Sequence, residues 1–173
     1  MAEILARGRA VIVGSNVNTD YIVPSHRKKE SIDPEVLKAF VFEDYRRELA
    51  AELQGGAILF AGENFGCGSA MEVAVTVLRA AGVRAVVAPS FARTFKRNAV
   101  NNGLLVLTAE SAGLQAGGAA EVHAANGALS VHVDGRHWAD CALVPEFLIE
   151  IIRAGGLVPY LRTRGGFPPI PAG

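Results

Sequence analysis

Short runs of consecutive apolar residues, each closed by glycine or a polar turn, punctuate the first two thirds of the chain. Ala10-Val11-Ile12-Val13, ended by Gly14, reads as a buried strand spanning residues 9–13. Residues 57–61, 83–88 and 104–107 repeat the pattern. Between these runs the apolar spacing becomes helical. Asp33 is placed to cap a helix and Pro34 fits its first turn. Val36, Leu37, Phe40 and Val41 then follow at helical spacing, predicting a helix to about Leu53, where Gly55-Gly56 stops it. Residues 70–81 read as a second helix ended by Gly82. Ser90 is placed to cap a third, running to Asn102 and ended by Gly103. Residues 14–20 are a polar loop rich in turn formers. Pro24 pushes Val23 away from helix, so Tyr21-Ile22-Val23-Pro24 is expected to be extended, and Ser25-His26-Arg27-Lys28-Lys29 to be a basic loop. The middle of the chain is thus strand–helix–strand–helix–strand, a parallel α/β unit.

The last third changes character. Asn126-Gly127 and Asp134-Gly135 separate three short strands, at about 120–123, 128–133 and 136–138. Both dipeptides are strong two-residue hairpin signals, so a small antiparallel meander is expected. A closing helix over about 145–154 presents Phe147, Leu148, Ile151 and Ile152 on one face. Residues 1–164 are read as a single domain, followed by an irregular Gly/Pro tail over 165–173.

Composition narrows the class. The chain has 173 residues, formal net charge +0, 20% charged and 50% hydrophobic residues. That hydrophobicity with no charge excess argues against disorder, and the missing basic excess argues against a nucleic-acid binder. No apolar run approaches the roughly 18–20 residues of a membrane span, and the first residues lack a signal-peptide pattern. Cys67 and Cys141 are too few for a disulfide framework or a self-contained zinc or iron–sulfur site. A reduced, cytoplasmic protein is the simplest reading.

The chemistry concentrates in Asn64-Phe65-Gly66-Cys67-Gly68-Ser69, between a buried strand and a helix. Two glycines around Cys67 allow a sharp turn and close approach to a ligand. Ser69 is expected at the helix start, where unpaired N–H groups favour an anion. Two roles are open to it: capping the helix, or acting as a hydroxyl whose alkoxide those donors stabilise. The loop is not G-x-G-x-x-G, because Met71 takes the place of the last glycine, and it lacks the Gly-Lys-Ser/Thr of a P-loop.

Four segments, in order, resemble the small subunit of 3-isopropylmalate dehydratase and its relatives in the aconitase superfamily. They are residues 18–24 (Asn-Thr-Asp-Tyr-Ile-Val-Pro), residues 62–69 (Gly-Glu-Asn-Phe-Gly-Cys-Gly-Ser), Ser90-Phe91-Ala92-Arg93 with Arg97-Asn98-Ala99 and Asn102-Gly103-Leu104, and Ala154-Gly155-Gly156-Leu157. The resemblance covers about residues 8–161. It implies a swivelling β/β/α domain of the type at the C-terminal end of aconitase. It also implies a large partner subunit holding a [4Fe–4S] cluster that acts as Lewis acid on the substrate hydroxyl, with no cofactor bound by this chain. Ser69 matches the serine that takes the carbon-bound proton. Gly68 and Ala70 are the expected backbone donors to a small anionic substrate. Asp20, Asn64, Gly66 and Cys67 are expected to support the loop. In isolation the chain is free to self-associate.

The sequence departs from the family run Ser-Ser-Arg-Glu-His after the second glycine, reading Ser69-Ala70-Met71-Glu72-Val73. The arginine that meets a substrate carboxylate in the family is replaced by Met71, which has no donor. Either the substrate lacks or relocates that carboxylate, or another cation supplies the charge, for which His26, Arg27, Lys28 and Lys29 are the candidates, or the site is degenerate and the complex has lost dehydratase activity. Exchange of Arg27 or Lys28 is expected to alter substrate preference more than stability. The reading is an isopropylmalate dehydratase-like hydro-lyase subunit. The alternatives are a homoaconitase-like or specialised diacid dehydratase, or a non-catalytic anion-binding subunit. Elsewhere, Glu72 matches a capping box with Ser69. Arg93, Lys96 and Arg97 read as a solvated helix face or subunit contact. His123, His132 and His137 lack metal-ligand spacing.

Overall fold

The computed structural model describes residues 2–166. They build one seven-stranded mixed sheet in the order β4-β3-β2-β1-β5-β6-β7. The strands are β1 (Glu3–Ile12), β2 (Ala57–Phe60), β3 (Val83–Ala88), β4 (Leu105–Thr108), β5 (Ala119–Ala125), β6 (Ala128–Val133) and β7 (Arg136–Asp140). β1 to β4 run parallel, with Ile12 opposite Phe60, Phe60 opposite Val87 and Val87 opposite Leu107. β1 also pairs antiparallel with β5, so the meander extends the parallel unit instead of standing apart. This is the expected α/β fold, with β1 reaching six residues further toward the N-terminus than the apolar run alone indicates.

The parallel strands bury both faces, which is why they read as unbroken apolar runs. On one face Val11, Leu59 and Val86 pack beneath α5 (Glu72–Ala81) and α6 (Arg93–Asn101), through Val75, Leu78, Phe95 and Ala99. On the other face Ala10, Ile58, Phe60 and Val87 meet Val122 and Val131 of the meander and Ile149 of α7 (Glu146–Arg153). Along β5 and β6, Ala120, Val122, Leu129 and Val131 are buried while Glu121, His123, Ser130 and His132 line the outer face.

The segment from 19 to 53 differs from its sequence reading. Thr19–Ile22 is a helical turn (α1), not an extended strand, because the Asn18 side chain caps it by accepting from Asp20 N at 2.6 Å. Pro24 restricts only Val23, and then serves as the N-cap residue of α2 (Ser25–Glu30). The expected basic loop is therefore helical. The long helix over 33–53 is broken into α3 (Pro34–Leu37), a 3-10 turn (Lys38–Phe40) and α4 (Leu49–Glu52). The break comes at Phe42, whose φ is +57° and whose ring is fully buried. Burial of a whole phenylalanine ring, worth about 1.5–3 kcal/mol, offsets the roughly 1–2 kcal/mol of a left-handed residue. A helix at Leu157–Arg164 (α8) follows α7 and closes at Gly165 (φ +70°). The remainder of the expected tail, residues 167–173, lies outside the described residues.

Candidate functional site

Three loops meet beyond the carboxyl ends of β1, β2 and β3, where open α/β sheets characteristically bind ligands. The loop after β2 is stitched to both neighbours. Asn16 N donates to the Glu63 carbonyl (2.8 Å), Gly66 N to the Val17 carbonyl (2.8 Å) and Thr19 N to the Cys67 carbonyl (2.9 Å). On the other side Phe65 N donates to the Ser90 carbonyl (3.1 Å) and Ala92 N to the Phe65 carbonyl (2.9 Å). Side chains add more. Asn64 Nδ2 donates to Asn16 Oδ1 (2.9 Å), and Asn64 N to Ser90 Oγ (2.8 Å). Ser90 thus holds the loop; it does not cap α6, whose N-cap residue is Ala92. Beneath the loop, Phe65 packs edge-on against Phe95 (5.1 Å between ring centres), and Phe91 stacks parallel to Phe95.

Three residues of this loop adopt left-handed backbone: Asn64 (φ +57°), Gly66 (+77°) and Gly68 (+90°). The result lifts Gly68, Ser69 and Ala70 to the surface, where all three are exposed. Ser69 is not at the helix start. α5 begins at Glu72 with Met71 as its uncapped N-cap residue, so Ser69 caps nothing. The capping box with Glu72 is likewise absent, and Glu72 instead accepts from Asn102 Nδ2 at 3.0 Å. Among the described residues, the Ser69 hydroxyl and the N–H groups of Gly68, Ser69 and Ala70 have no hydrogen-bond partner.

Thr19 holds this exposed turn. It is the one buried polar residue among the described residues, and its Oγ1 donates to the Ser69 carbonyl at 2.9 Å. With its N–H on Cys67, Thr19 clamps both ends of the turn. Asn18 lies beneath Gly68, where an added Cβ would stand 3.3 Å from its side-chain carbon. Both lie in the 18–24 segment that carries the resemblance, but the sequence assigns neither a role. The available signal was the density of turn formers in Ser15-Asn16-Val17-Asn18-Thr19-Asp20.

The four basic candidates separate. Lys28 Nζ donates to Asp20 Oδ1 (3.1 Å) and rests against Met71 Sδ, two residues from Ser69. Asp20 also accepts from Ser25 Oγ (2.5 Å). The Ser25 and Lys28 contacts hold the Asp20 carboxyl below its ordinary range, keeping it ionised beside Lys28. Arg27 turns the other way. It forks onto Glu43 (2.9 and 2.8 Å) and lies 3.9 Å over the Phe40 ring, and Glu43 pushes its pKa upward. His26 and Lys29 are carried on α2 without a hydrogen-bond partner among the described residues. Arg93, Lys96 and Arg97 lie along α6.

Among the described residues no three His, Cys, Asp or Glu side chains converge as metal ligands, and no helix is long and apolar enough to cross a membrane. Cys67 stands in the loop after β2 and Cys141 follows β7, on separate segments. Burial pushes the Cys141 thiol up to about 11, so it is a poor ligand. The described residues do not fit an iron–sulfur cluster.

Comparison with known proteins places this architecture in a class. The aconitase C-terminal domain family matches residues 16–112, the span that carries all three loops. The 3-isopropylmalate dehydratase small subunit of Caldanaerobacter subterraneus is 39% identical over 160 residues, covering 91% of this chain and 98% of the relative. Small subunit 1 of the Thermotoga maritima enzyme is 37% identical over 167 residues, covering 96% and 100%. The crystal structure of 3-isopropylmalate dehydratase from Methanocaldococcus jannaschii superposes with a TM-score of 0.80 at 33% identity, covering 94% of this chain and 96% of that one. The chain belongs to the family of 3-isopropylmalate dehydratase small subunits.

Proposed function

We propose that this chain is the proton-transferring half of a two-subunit hydro-lyase acting on a 2-hydroxy dicarboxylic acid, as its relatives' name indicates. The observation that carries the reading is the Ser69 turn: an unpartnered hydroxyl flanked by three unpartnered backbone N–H groups, clamped by buried Thr19 and open to solvent. Preorganised donors of this kind stabilise an alkoxide or bind a carboxylate, and work best once water is excluded. A serine exposed in the isolated chain therefore calls for a second subunit to close over it. The [4Fe–4S] cluster is assigned to that large subunit.

In this reading Ser69 Oγ takes the proton from the carbon beside the one bearing the hydroxyl. The C–H electrons form the double bond, and the hydroxyl departs as hydroxide with the C–O electrons, becoming water with a proton from an acid that the large subunit would supply. Return of the Ser69 proton to the carbon that bore the hydroxyl, with hydroxide from water entering at the carbon that lost its proton and water's other proton going back to that acid, completes an isomerisation. The ammonium offered to a substrate carboxylate is that of Lys28, reaching Met71 from α2, and the substrate would have to share it with the Asp20 carboxylate it is paired with. An ammonium is a point charge and not a planar fork, so it suits a carboxylate placed differently from one gripped by arginine. That favours a 2-hydroxy diacid other than 3-isopropylmalate as the preferred substrate.

The test uses the complex with the cognate large subunit. Ser69→Ala is expected to lower kcat by about 10²–10⁴ with KM little changed. Lys28→Met is expected to reduce kcat/KM by an amount equivalent to about 2–5 kcal/mol, mostly through KM, with Lys28→Arg intermediate. Full turnover by Ser69→Ala removes the serine from the mechanism. Unchanged KM in Lys28→Met for every diacid turned over removes the lysine.

A further inference from the structure

A second polar site lies at the opposite end of the sheet. The Ser69 loop follows the carboxyl end of β2, whereas Gly55, Arg84 and Gly103 stand at the amino ends of β2, β3 and β4. There a cavity of about 530 Å³ is walled by Leu105, Ile149 and Ile152 and edged by Arg7, Arg84 and Arg153. A second cavity, of about 430 Å³, shares Arg84 and Gly103 with the first and adds Arg79. These volumes fall in the range of small-ligand sites, the first combining apolar walls with a comparable polar rim and the second being mainly polar.

The charges here do not balance locally. Arg153 is neutralised by Glu3 (2.6 Å) and Glu146 (2.8 Å). Arg84 and Arg79 have no carboxylate within ion-pair distance among the described residues. Glu35, at the rim of the second cavity, is engaged by Lys38. Arg79 donates only to the main-chain carbonyls of Asn102 and Gly155. Partial desolvation of its head, and the like charge of Arg84, hold Arg79 below the ordinary arginine range. The Arg84 guanidinium lies over Gly56, where an added Cβ would come 3.5 Å from its Nε. Two like charges side by side, with no counter-charge, are relieved by an anion.

We propose that this end of the sheet binds a small monocarboxylate with a short aliphatic tail. Arg84 receives the carboxylate in its planar fork, with Arg79 adding long-range charge, and the tail lies on Leu105, Ile149 and Ile152. The site is independent of Ser69 and sits across the sheet from it, so its occupancy reports on the rim of β2–β4 and not on the reaction.

Titration of the full chain with hexanoate, sulfate and hexanol, followed by calorimetry and amide chemical shifts, tests the assignment. Hexanoate is expected to saturate. Sulfate, lacking the tail, and hexanol, lacking the charge, are each expected to bind about tenfold or more weakly. Shifts are expected at Gly55, Gly103 and Ile152. Arg84→Met should weaken hexanoate by about tenfold or more, and Arg84→Lys by less. Sulfate binding as well as hexanoate, hexanoate shifts confined to the Ser69 turn, or undiminished affinity in a folded Arg84→Met chain would each overturn the proposal. Should Arg84→Met fail to fold, the shift map and the ligand comparison on the unaltered chain still decide it.

Discussion

One methyl group, placed on Gly66, probes how the Ser69 turn is held. Gly66 has φ +77°, and a Cβ built there would fall 2.5 Å from Phe95 Cβ and Cδ2. Phe95 cannot retreat easily, since it is 2% exposed and wedged between the Phe65 and Phe91 rings. Two penalties therefore combine. A left-handed conformation costs an alanine about 1–2 kcal/mol, and overpacking a filled core costs about 1–3 kcal/mol. Gly66→Ala should thus lose roughly 2–5 kcal/mol, a large share of the roughly 5–15 kcal/mol that stabilises such a domain.

Gly113 supplies the control. Its φ is +81°, yet a Cβ there would meet nothing within 4 Å. Gly113→Ala should show the backbone penalty alone, about 1–2 kcal/mol. Urea unfolding of both variants, with unchanged slope, measures the difference as a shift of midpoint. The same collision offers a second exit: the loop lifts off Val17 and Thr19, Phe95 stays put, and the Ser69 turn loses its clamp. In that case stability falls little while activity in the complex collapses. Equal midpoints for the two variants together with full activity of Gly66→Ala would refute the close-packing argument.

Two further perturbations separate roles that the sequence leaves merged. Arg27→Ala should lower the urea midpoint, and Arg27→Lys should lower it less, because alanine removes both the Glu43 fork and the Phe40 stack; a shift in substrate preference with stability intact would make Arg27 a ligand after all. On the outer face of the meander His132 stacks on His123 (4.1 Å between ring centres) and meets His137 edge-on (5.5 Å), with Glu121 and Asp140 beside them. Burial, then the neighbouring imidazoles, hold His132 below its ordinary 6.5, so the unfolded chain takes up its proton first and stability falls as pH drops below 6.5 toward the lower folded value. His132→Asn should flatten this loss, compared by urea midpoints at neutral pH and about pH 5.5, and an identical pH dependence in both proteins would contradict it.

What was legible in the chain follows from where each segment's energy comes from. The parallel strands are buried on both faces, so their identity is written in consecutive apolar residues. The hairpins are written in Asn126-Gly127 and Asp134-Gly135, whose left-handed angles (φ +51°, +77°, +49° and +75°) few other pairs tolerate. Segment 19–53 is different, because tertiary contacts set its backbone. Phe42 turns left-handed so that its ring enters the core and its N–H reaches the Ile22 carbonyl at 3.1 Å, and no local pattern announces that. α8 was hidden by its own composition. Gly155-Gly156 and Pro159 look like breakers, but Gly156 is the N-cap residue and Pro159 sits in the first turn, where its missing N–H is not needed.

The same division runs through the site. The Ser69 turn was visible because glycines must bracket a backbone that doubles back, and such glycines leave a mark in any single sequence. Its clamp was not visible, since Thr19 acts from fifty residues away through one hydroxyl and one N–H. Nor could spacing distinguish Lys28 from Arg27. In the α2 helix adjacent residues point about 100° apart, so a one-residue step decides which cation faces Met71 and which is spent on Glu43. A loop, as the sequence suggested, would have left both free to reach the turn. The helix makes the assignment discrete, and it is why the Lys28 ammonium, paired with Asp20 and carried on a different element from Ser69, stands beside Met71.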